Sequence, residues 1–145
     1  MVAPELVKQY VDTGKVKLVW RDFAWIGDES RQAAQAARCA GRQDKFWEYH
    51  DSLFNNQRGE NRGQFAVANL RQFASALGLE TAAFNACLER AEDIPTIQQE
   101  LATARARGVA ATPSFFVNDQ RLVGARGIEA FNQAIDAELA RVGAR

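Results

Sequence analysis

The feature that most constrains this fold is a proline placed directly before a short apolar run. Pro113 precedes Ser114–Val117, whose β-branched and aromatic residues predict a strand. Proline removes a hydrogen-bond donor from a sheet, so it is a costly choice at the start of a buried strand. It fits there if the Thr112–Pro113 bond is cis and turns the chain sharply into the strand. Asn118–Asp119 then predicts a tight turn, and Arg121–Val123 pairs back to complete a hairpin.

The rest of the chain predicts helices and one further strand. A short helix is expected after Pro4, with proline in its first turn. Val16–Phe23 is β-branched and aromatic with alternating apolar residues, which favours a strand. Between residues 28 and 107 the strand signals vanish, and apolar residues at helical spacing predict five helices. A last amphipathic helix is expected after Gly127, so the chain belongs to the α/β class.

Length and charge exclude several classes of function. The chain has 145 residues, enough for one domain of ordinary size. Its 18 Lys and Arg residues balance its 18 Asp and Glu residues, and no basic half exists to bind phosphates, so nucleic acid is a poor candidate partner. No apolar run approaches the roughly 20 residues of a membrane-spanning helix. The N-terminus lacks the basic start and apolar stretch of a secretory signal.

The sulfur and imidazole groups match no metal or cofactor motif. Cys39 and Cys87 are far apart in sequence and fit none of the close-spaced zinc or redox patterns. The single histidine, His50, lies on the apolar side of a predicted helix, which favours a packed core residue over a catalytic base. We therefore expect no metal site and no cofactor.

Four stretches of the sequence resemble the DsbA-like branch of the thioredoxin superfamily, the disulfide oxidoreductases with a helical insertion. The matching stretches, in order, are VDTGKVKLVWRDF, ARCAGRQDKFWEYHDSLF, FNACLE and GVAATPSFFVNDQRLVGA. The resemblance implies a thioredoxin-like fold, incomplete at the N-terminus. Residues 1–27 and 108–145 would form the partial thioredoxin-like core, and residues 28–107 an all-helical insertion.

The chain departs from the family at the residues that carry its chemistry. Family members have a C-x-x-C pair at the start of the first helix, after a first strand, whereas this sequence begins inside that helix at Met1. The catalytic cysteines are therefore expected upstream of Met1, and no catalytic residue is expected within the chain. Disulfide exchange needs a thiolate at a helix N-terminus and a resolving thiol three residues on.

Two functions are compatible with this departure. The first is a truncated and inactive oxidoreductase domain, whose longer parent exchanges disulfides with cysteine-containing proteins in the periplasm or another space outside the cytoplasm. The alternative is a non-catalytic module of the same fold that binds peptides or proteins.

The resemblance also assigns roles to particular residues. Thr112 and Pro113 would shape the surface that binds the substrate. For Cys39 and Cys87, a structural disulfide within the insertion is favoured, two inert buried thiols come second and a reactive pair third. Without the first strand, two strand edges face a gap, so Val16–Phe23 pairs directly with the hairpin or a second copy fills the gap as a strand-exchanged homodimer.

Overall fold

The computed structural model describes residues 2–143. Its helices and strands, in chain order, are α1 (Val2–Leu6), a π-helical turn (Val7–Val11), α2 (Asp28–Gly41), α3 (Phe46–Asn56), α4 (Val67–Ala76), α5 (Thr81–Arg90), α6 (Ile94–Ala106), β1 (Ser114–Val117), β2 (Gln120–Val123) and α7 (Ile128–Gly143). Met1 lies outside the described residues, so the structure does not test the expectation that a C-x-x-C pair precedes it.

The chain divides into two compact units. The sheet unit contains the residues up to Arg21 and those from Arg107 onward, and the helical unit contains Asp22–Ala106. In the sheet unit, an antiparallel hairpin packs against the helices of the same unit. β1 pairs with β2 in a register that sets Phe115 opposite Leu122 and Val117 opposite Gln120.

A two-residue turn joins the two strands. Its first residue, Asn118, takes a left-handed conformation with φ of 52°. Asparagine tolerates that conformation better than most residues, which explains the tight turn expected there.

The core of the sheet unit is small and aromatic. Tyr10, Phe131 and Ile135 are buried at its centre. The ring of Phe115, from β1, meets the ring of Phe131 edge to face with centroids 4.8 Å apart, which is a favourable arrangement for two aromatic rings. The Tyr10 hydroxyl donates a hydrogen bond of 3.0 Å to Asp136 and so ties the N-terminal helical segment to α7.

The strand predicted over Val16–Phe23 is wrong. The sheet of the described residues contains two strands, β1 and β2, so the segment does not pair with the hairpin either. The backbone N–H of Val16 instead donates to the carbonyl of Tyr10, and Leu18 and Val19 are about half exposed, at 44% and 51%. β-branched and aromatic residues favour a strand because their side chains pack well on a sheet. They form one only when a neighbouring strand is available for backbone hydrogen bonding.

The helical unit is built on the small residues of α2. Ala36, Ala37 and Ala40 are buried there, and they let the other helices approach closely. The large residues that fill the space beside them are Tyr49, Leu70 and Phe84, all fully buried. The five helices predicted between residues 28 and 107 are therefore present as α2 to α6.

A charged network fixes the start of the helical unit to two of its helices. Arg38, on α2, contacts Asp22 at 2.7 Å and Glu100, on α6, at 2.9 Å. The backbone N–H of Asp22 also donates to the Glu100 carboxylate at 2.7 Å. Burial by itself would lower the pKa of the Arg38 guanidinium, but the hydrogen bonds and charges of Asp22 and Glu100 outweigh that effect and raise it. Arg38 is therefore held in its charged form between two carboxylates.

The hydroxyl of Tyr49 supplies a buried polar contact whose removal should be measurable. It donates a hydrogen bond of 2.8 Å to the carbonyl of Leu70, and burial raises the pKa of the phenol far above its ordinary value, so the proton is kept. We expect Tyr49→Phe to lower the free energy of unfolding by about 1–2 kcal/mol, because a buried carbonyl loses its donor. Urea unfolding followed by circular dichroism measures the loss.

Tyr10→Phe is the matched control for that substitution. Tyr10 is equally buried, but its acceptor, Asp136, is exposed and can regain water when the hydroxyl is removed. The loss should therefore be smaller than for Tyr49→Phe. Equal losses for the two variants would contradict the importance of the buried Leu70 carbonyl.

Candidate functional site

Two places in the chain carry the residues singled out from the sequence, one in each unit. The first is the loop that enters β1. The Thr112–Pro113 peptide bond is cis, and Ala111, Thr112 and Pro113 are all exposed. The Pro113 carbonyl accepts a hydrogen bond of 2.9 Å from the backbone N–H of Gly124, and the Ser114 hydroxyl donates to the Ala111 carbonyl at 2.7 Å. The loop is thus held by its own backbone while its outer side faces solvent.

The edge of β1 beyond this loop is open to another strand. Val117 opposes Gln120 directly across the two-residue turn, so Val117, Phe115 and Pro113 turn their backbone groups toward β2. The N–H and C=O groups of Ser114 and Phe116 consequently point to the other side. Since β2 is the sole neighbour of β1 among residues 2–143, that side is an unoccupied ladder edge.

Arginine side chains support the same hairpin from its outer face. The guanidinium of Arg107 lies 3.8 Å from the centre of the Phe116 ring, a cation–π contact. Arg121 donates to the carbonyl of Gly108 at 2.5 Å. Both contacts join β1 and β2 to the segment that precedes the cis-proline loop, so they fix the position of the open edge.

The second place is the disulfide that joins Cys39 and Cys87. Cys39 lies in the last turn of α2 and Cys87 in the second half of α5, and both are buried, at 1% and 4% exposed. The bond closes a loop across 48 positions of the sequence. The helical unit is therefore covalently closed around its own core.

Polar side chains surround the two sulfurs. The Gln35 side-chain N–H group lies 3.3 Å from Cys39 Sγ, and the Arg42 guanidinium lies 3.4 Å from Cys87 Sγ. Gln35 also donates to the Asp93 carboxylate at 3.2 Å, and its carbonyl accepts from the Asp93 backbone at 3.1 Å. Arg42 completes the ring with a 2.9 Å ion pair to Asp93. The disulfide thus sits in a network of charged and amide groups inside an otherwise apolar core.

An outer carboxylate balances the arginine of this network. Glu92 pairs with Arg90 at 2.8 Å and with Arg42 at 3.2 Å. These two guanidinium groups, Arg90 first, hold the pKa of Glu92 below its ordinary value. Glu92 is therefore ionised in the neutral range, and it pairs with the same Arg42 guanidinium that contacts Cys87 Sγ.

The residues predicted from the sequence fall into separate groups. Thr112 and Pro113 are neighbours in the sheet unit, and Cys39 and Cys87 are joined in the helical unit. His50 lies among the rings of Phe46, Trp47 and Phe54, with Nδ1 3.0 Å from the exposed Asp51 carboxylate.

The residues around the disulfide were missed. Gln35 is one helical turn before Cys39, so helical spacing alone could have placed it beside the sulfur. Arg42 is three residues after Cys39, so the same spacing places it near the disulfide. Asp93 has no such local signal, because it reaches the sulfurs only once α2 and α5 have packed together.

The cysteines also correct part of the expectation of an inactive chain. That expectation places the catalytic C-x-x-C upstream of Met1, because residues 1–145 contain only the cysteines at positions 39 and 87. The chain nevertheless contains one cysteine pair, because packing of the helical unit joins Cys39 to Cys87. The lack of a C-x-x-C is therefore not by itself a lack of redox-active sulfur, and the chemistry of this second pair depends on its surroundings.

Comparisons with known proteins agree on the fold. A family model described as thioredoxin matches residues 1–137. The crystal structure of oxidised BdbD from Bacillus subtilis superposes with a TM-score of 0.83 at 22% identity, over 94% of this chain and 76% of that one. A likeness at that identity shows the thioredoxin-like fold with its helices and small sheet.

Two curated relatives differ in how much of their length the chain matches. A probable disulfide bond formation protein D of Bacillus anthracis is 25% identical over 95% of this chain and 64% of its own length. A sodium/proton antiporter of Salinispora tropica is 32% identical over 91% of this chain and 20% of its own length. The chain therefore spans about a fifth of that antiporter. No helix of residues 2–143 has the length and apolar character needed to cross a membrane.

Removal of the disulfide should destabilise the chain strongly. Closing a loop of 48 residues stabilises a fold by about 4 kcal/mol in the chain-entropy account. We expect Cys39→Ala combined with Cys87→Ala to lower the free energy of unfolding by an amount of that order, measured by urea unfolding. Wild-type protein treated with a phosphine reductant should shift by a similar amount, and the double variant should not respond to the reductant. A wild-type unfolding curve that is the same with and without reductant would contradict a stabilising role.

Proposed function

The chain belongs to the thioredoxin family, among the DsbA-type thiol–disulfide oxidoreductases, and from this premise we propose that it holds the cysteine-containing protein substrate of a disulfide exchange. The observation that carries the proposal is the open edge of β1 beside the exposed Thr112–Pro113 loop. The redox pair of the reaction is a C-x-x-C, which residues 1–145 do not contain. We therefore expect residues 1–145 by themselves not to catalyse the exchange.

The open edge suits an extended polypeptide as substrate. The outward N–H and C=O groups of Ser114 and Phe116 can form a short antiparallel or parallel ladder with any extended segment. Backbone pairing of this kind does not depend on side-chain identity, so the edge can accept substrate segments of different sequence. Thr112 and Pro113 stand exposed at the end of that edge, where they would lie against the substrate segment that bears the cysteine.

The Cys39–Cys87 pair is unsuited to the role of the exchanging pair. A reactive thiolate in this class of enzyme is stabilised by the positive end of a helix dipole and is partly exposed. Cys39 lies in the last turn of α2, near the negative end of that helix, and both sulfurs are buried. We assign this pair a structural role, as the covalent closure of a helical insertion that corresponds to the helical unit.

The same disulfide supports a location outside the cytoplasm. Disulfides persist in oxidising compartments and are rare in the cytosol. A buried disulfide that contributes to stability therefore favours the periplasm or another extracytoplasmic space for the protein that contains this chain.

A non-catalytic binding module is the alternative function. It would use the same β1 edge and the same Thr112–Pro113 loop to hold an extended partner, without any exchange of disulfides. The two functions differ only in whether a C-x-x-C placed before α1 produces catalysis.

An insulin-reduction assay separates the two. The chain is compared with a fusion in which a β-strand and a C-x-x-C segment are placed before α1. We expect the chain alone to leave the rate with dithiol unchanged and the fusion to accelerate it, because the fusion supplies the missing thiolate beside the substrate edge. A fusion with both added cysteines changed to serine is the control. A folded fusion without activity would favour the binding module, and acceleration by the chain alone would contradict the need for the added pair.

A second copy of the chain is a further occupant of the same edge. We propose that Val16–Phe23 of one copy pairs with β1 of another, because this β-prone segment forms no strand of its own and exposes Leu18 and Val19. Such strand exchange would form a homodimer and satisfy the outward groups of Ser114 and Phe116.

Light scattering after size-exclusion chromatography tests the exchange. We expect a dimer that dissociates on dilution and that Val19→Lys converts to monomer, because a charge in the exchanged strand opposes its pairing. Val142→Lys is the matched control, since Val142 is an equally exposed valine on α7, and it should leave the dimer intact. A protein that is monomeric at every concentration would exclude the exchange.

A further inference from the structure

The amide group of Gln35 marks a point on which three acceptor atoms converge. Its side-chain nitrogen lies 3.3 Å from Cys39 Sγ, 4.0 Å from Cys87 Sγ and 3.2 Å from Asp93 Oδ2. The three acceptor atoms all lie within 4.8 Å of one another. Gln35 is 2% exposed, so this focus is closed off from solvent. An amide donor at the focus of two sulfurs and a carboxylate takes the position that a small cation would take.

The sulfurs become metal ligands once the disulfide is reduced. A dithiol reductant converts to its own disulfide and passes two electrons and two protons to Cys39 and Cys87, which become thiols. A zinc ion that binds both sulfurs as thiolates displaces the two protons. Zinc favours tetrahedral sites made of cysteine sulfur with histidine nitrogen or carboxylate oxygen, and two thiolates with Asp93 supply three such ligands. One water molecule enclosed in the buried site completes the fourth position.

The charges of the site balance in both states. In the disulfide form, the carboxylate of Asp93 is neutralised by the Arg42 guanidinium at 2.9 Å. The Glu92 carboxylate that also contacts Arg42 is balanced by Arg90. After reduction, two thiolates and the Asp93 carboxylate carry three negative charges, and zinc with Arg42 supplies three positive ones. Arg42 also lies 3.4 Å from Cys87 Sγ, where its N–H groups can support a metal-bound thiolate from outside. Its side chain is long and partly exposed, so it can adjust without moving the core.

We propose that the reduced Cys39–Cys87 pair, with Asp93, binds one zinc ion. The disulfide and the zinc complex are then two alternative closures of the same helical unit, selected by the redox state of the two sulfurs. In the disulfide form a covalent bond joins Cys39 to Cys87, while Gln35 and Arg42 hold Asp93 beside them. In the zinc form the metal would bind all three side chains. The proposal does not depend on the exchange activity, because it concerns a pair that takes no part in that exchange.

Cobalt(II) is the probe for this site, because it replaces zinc in tetrahedral thiolate sites and absorbs light there. The whole chain is reduced with a phosphine and titrated with Co²⁺. We expect one Co²⁺ per chain, with sulfur-to-cobalt charge-transfer absorption that zinc abolishes, and no such absorption from the oxidised chain. Thermal unfolding of the reduced chain should shift upward when Zn²⁺ is added, because the metal binds the folded form.

Two substitutions that keep both cysteines test the ligand set. Asp93→Asn should weaken Co²⁺ binding by at least the roughly 10–100-fold that loss of an outer contact of a metal site costs, whereas Asp28→Asn, at an exposed carboxylate on α2, should not. Gln35→His should tighten binding and alter the visible spectrum, because an imidazole nitrogen would replace the water as the fourth ligand. Gln72→His, on the exposed side of α4, should do neither.

Three results would overturn the zinc site. They are a reduced, folded chain that binds no Co²⁺, equal binding by the wild type and Asp93→Asn, and a reduced chain that is unfolded by circular dichroism and that Zn²⁺ does not refold. None of them involves insulin reduction, so failure here is distinguishable from failure of the proposed exchange function.

Discussion

A hairpin of two strands cannot hold itself together in water, and the sheet unit is organised around that constraint. An isolated two-stranded sheet is at best marginally stable, so β1 and β2 need an apolar surface on one side. Tyr10, Phe131 and Ile135 supply it, and the edge-to-face contact of Phe115 with Phe131 anchors the first strand. The Tyr10–Asp136 hydrogen bond brings the N-terminal helical segment onto α7, so elements from both ends of the chain support four-residue strands.

Helices support one face of the hairpin, and the outer edge of β1 stays open to a binding partner. Helices cover a face of the hairpin, but a strand edge is satisfied only by another strand. The outward groups of Ser114 and Phe116 therefore keep their capacity to form a ladder. A substrate segment, a partner protein and a second copy of the chain all compete for the same few hydrogen bonds. The functions proposed for this edge are thus mutually exclusive at any moment.

Structure that depends on residues close in sequence was predicted well, and structure that depends on contacts between distant residues was predicted poorly. The hairpin, the turn at Asn118 and the helices of the helical unit follow from local spacing and turn chemistry, and they are present in the structure. The strand over Val16–Phe23 failed because its composition suits a strand but no strand of the described residues pairs with it. The thioredoxin-like fold itself came from the resemblance of four stretches, which carries long-range information that periodicity does not contain.

The disulfide site also separates what local spacing predicts from what only packing decides. The sequence predicts no metal site, because Cys39 and Cys87 are far apart in the chain and His50 is the one histidine of the sequence. Packing of α2 against α5 brings the two sulfurs together, and the segment after α5 then adds Asp93 to them. Position near a helix C-terminus makes these sulfurs poor nucleophiles, whereas a metal ion would neutralise the thiolates that the helix dipole disfavours. Burial and the position near a helix C-terminus therefore make this pair unsuited to disulfide exchange, and the same two features favour binding of a cation once the sulfurs are reduced.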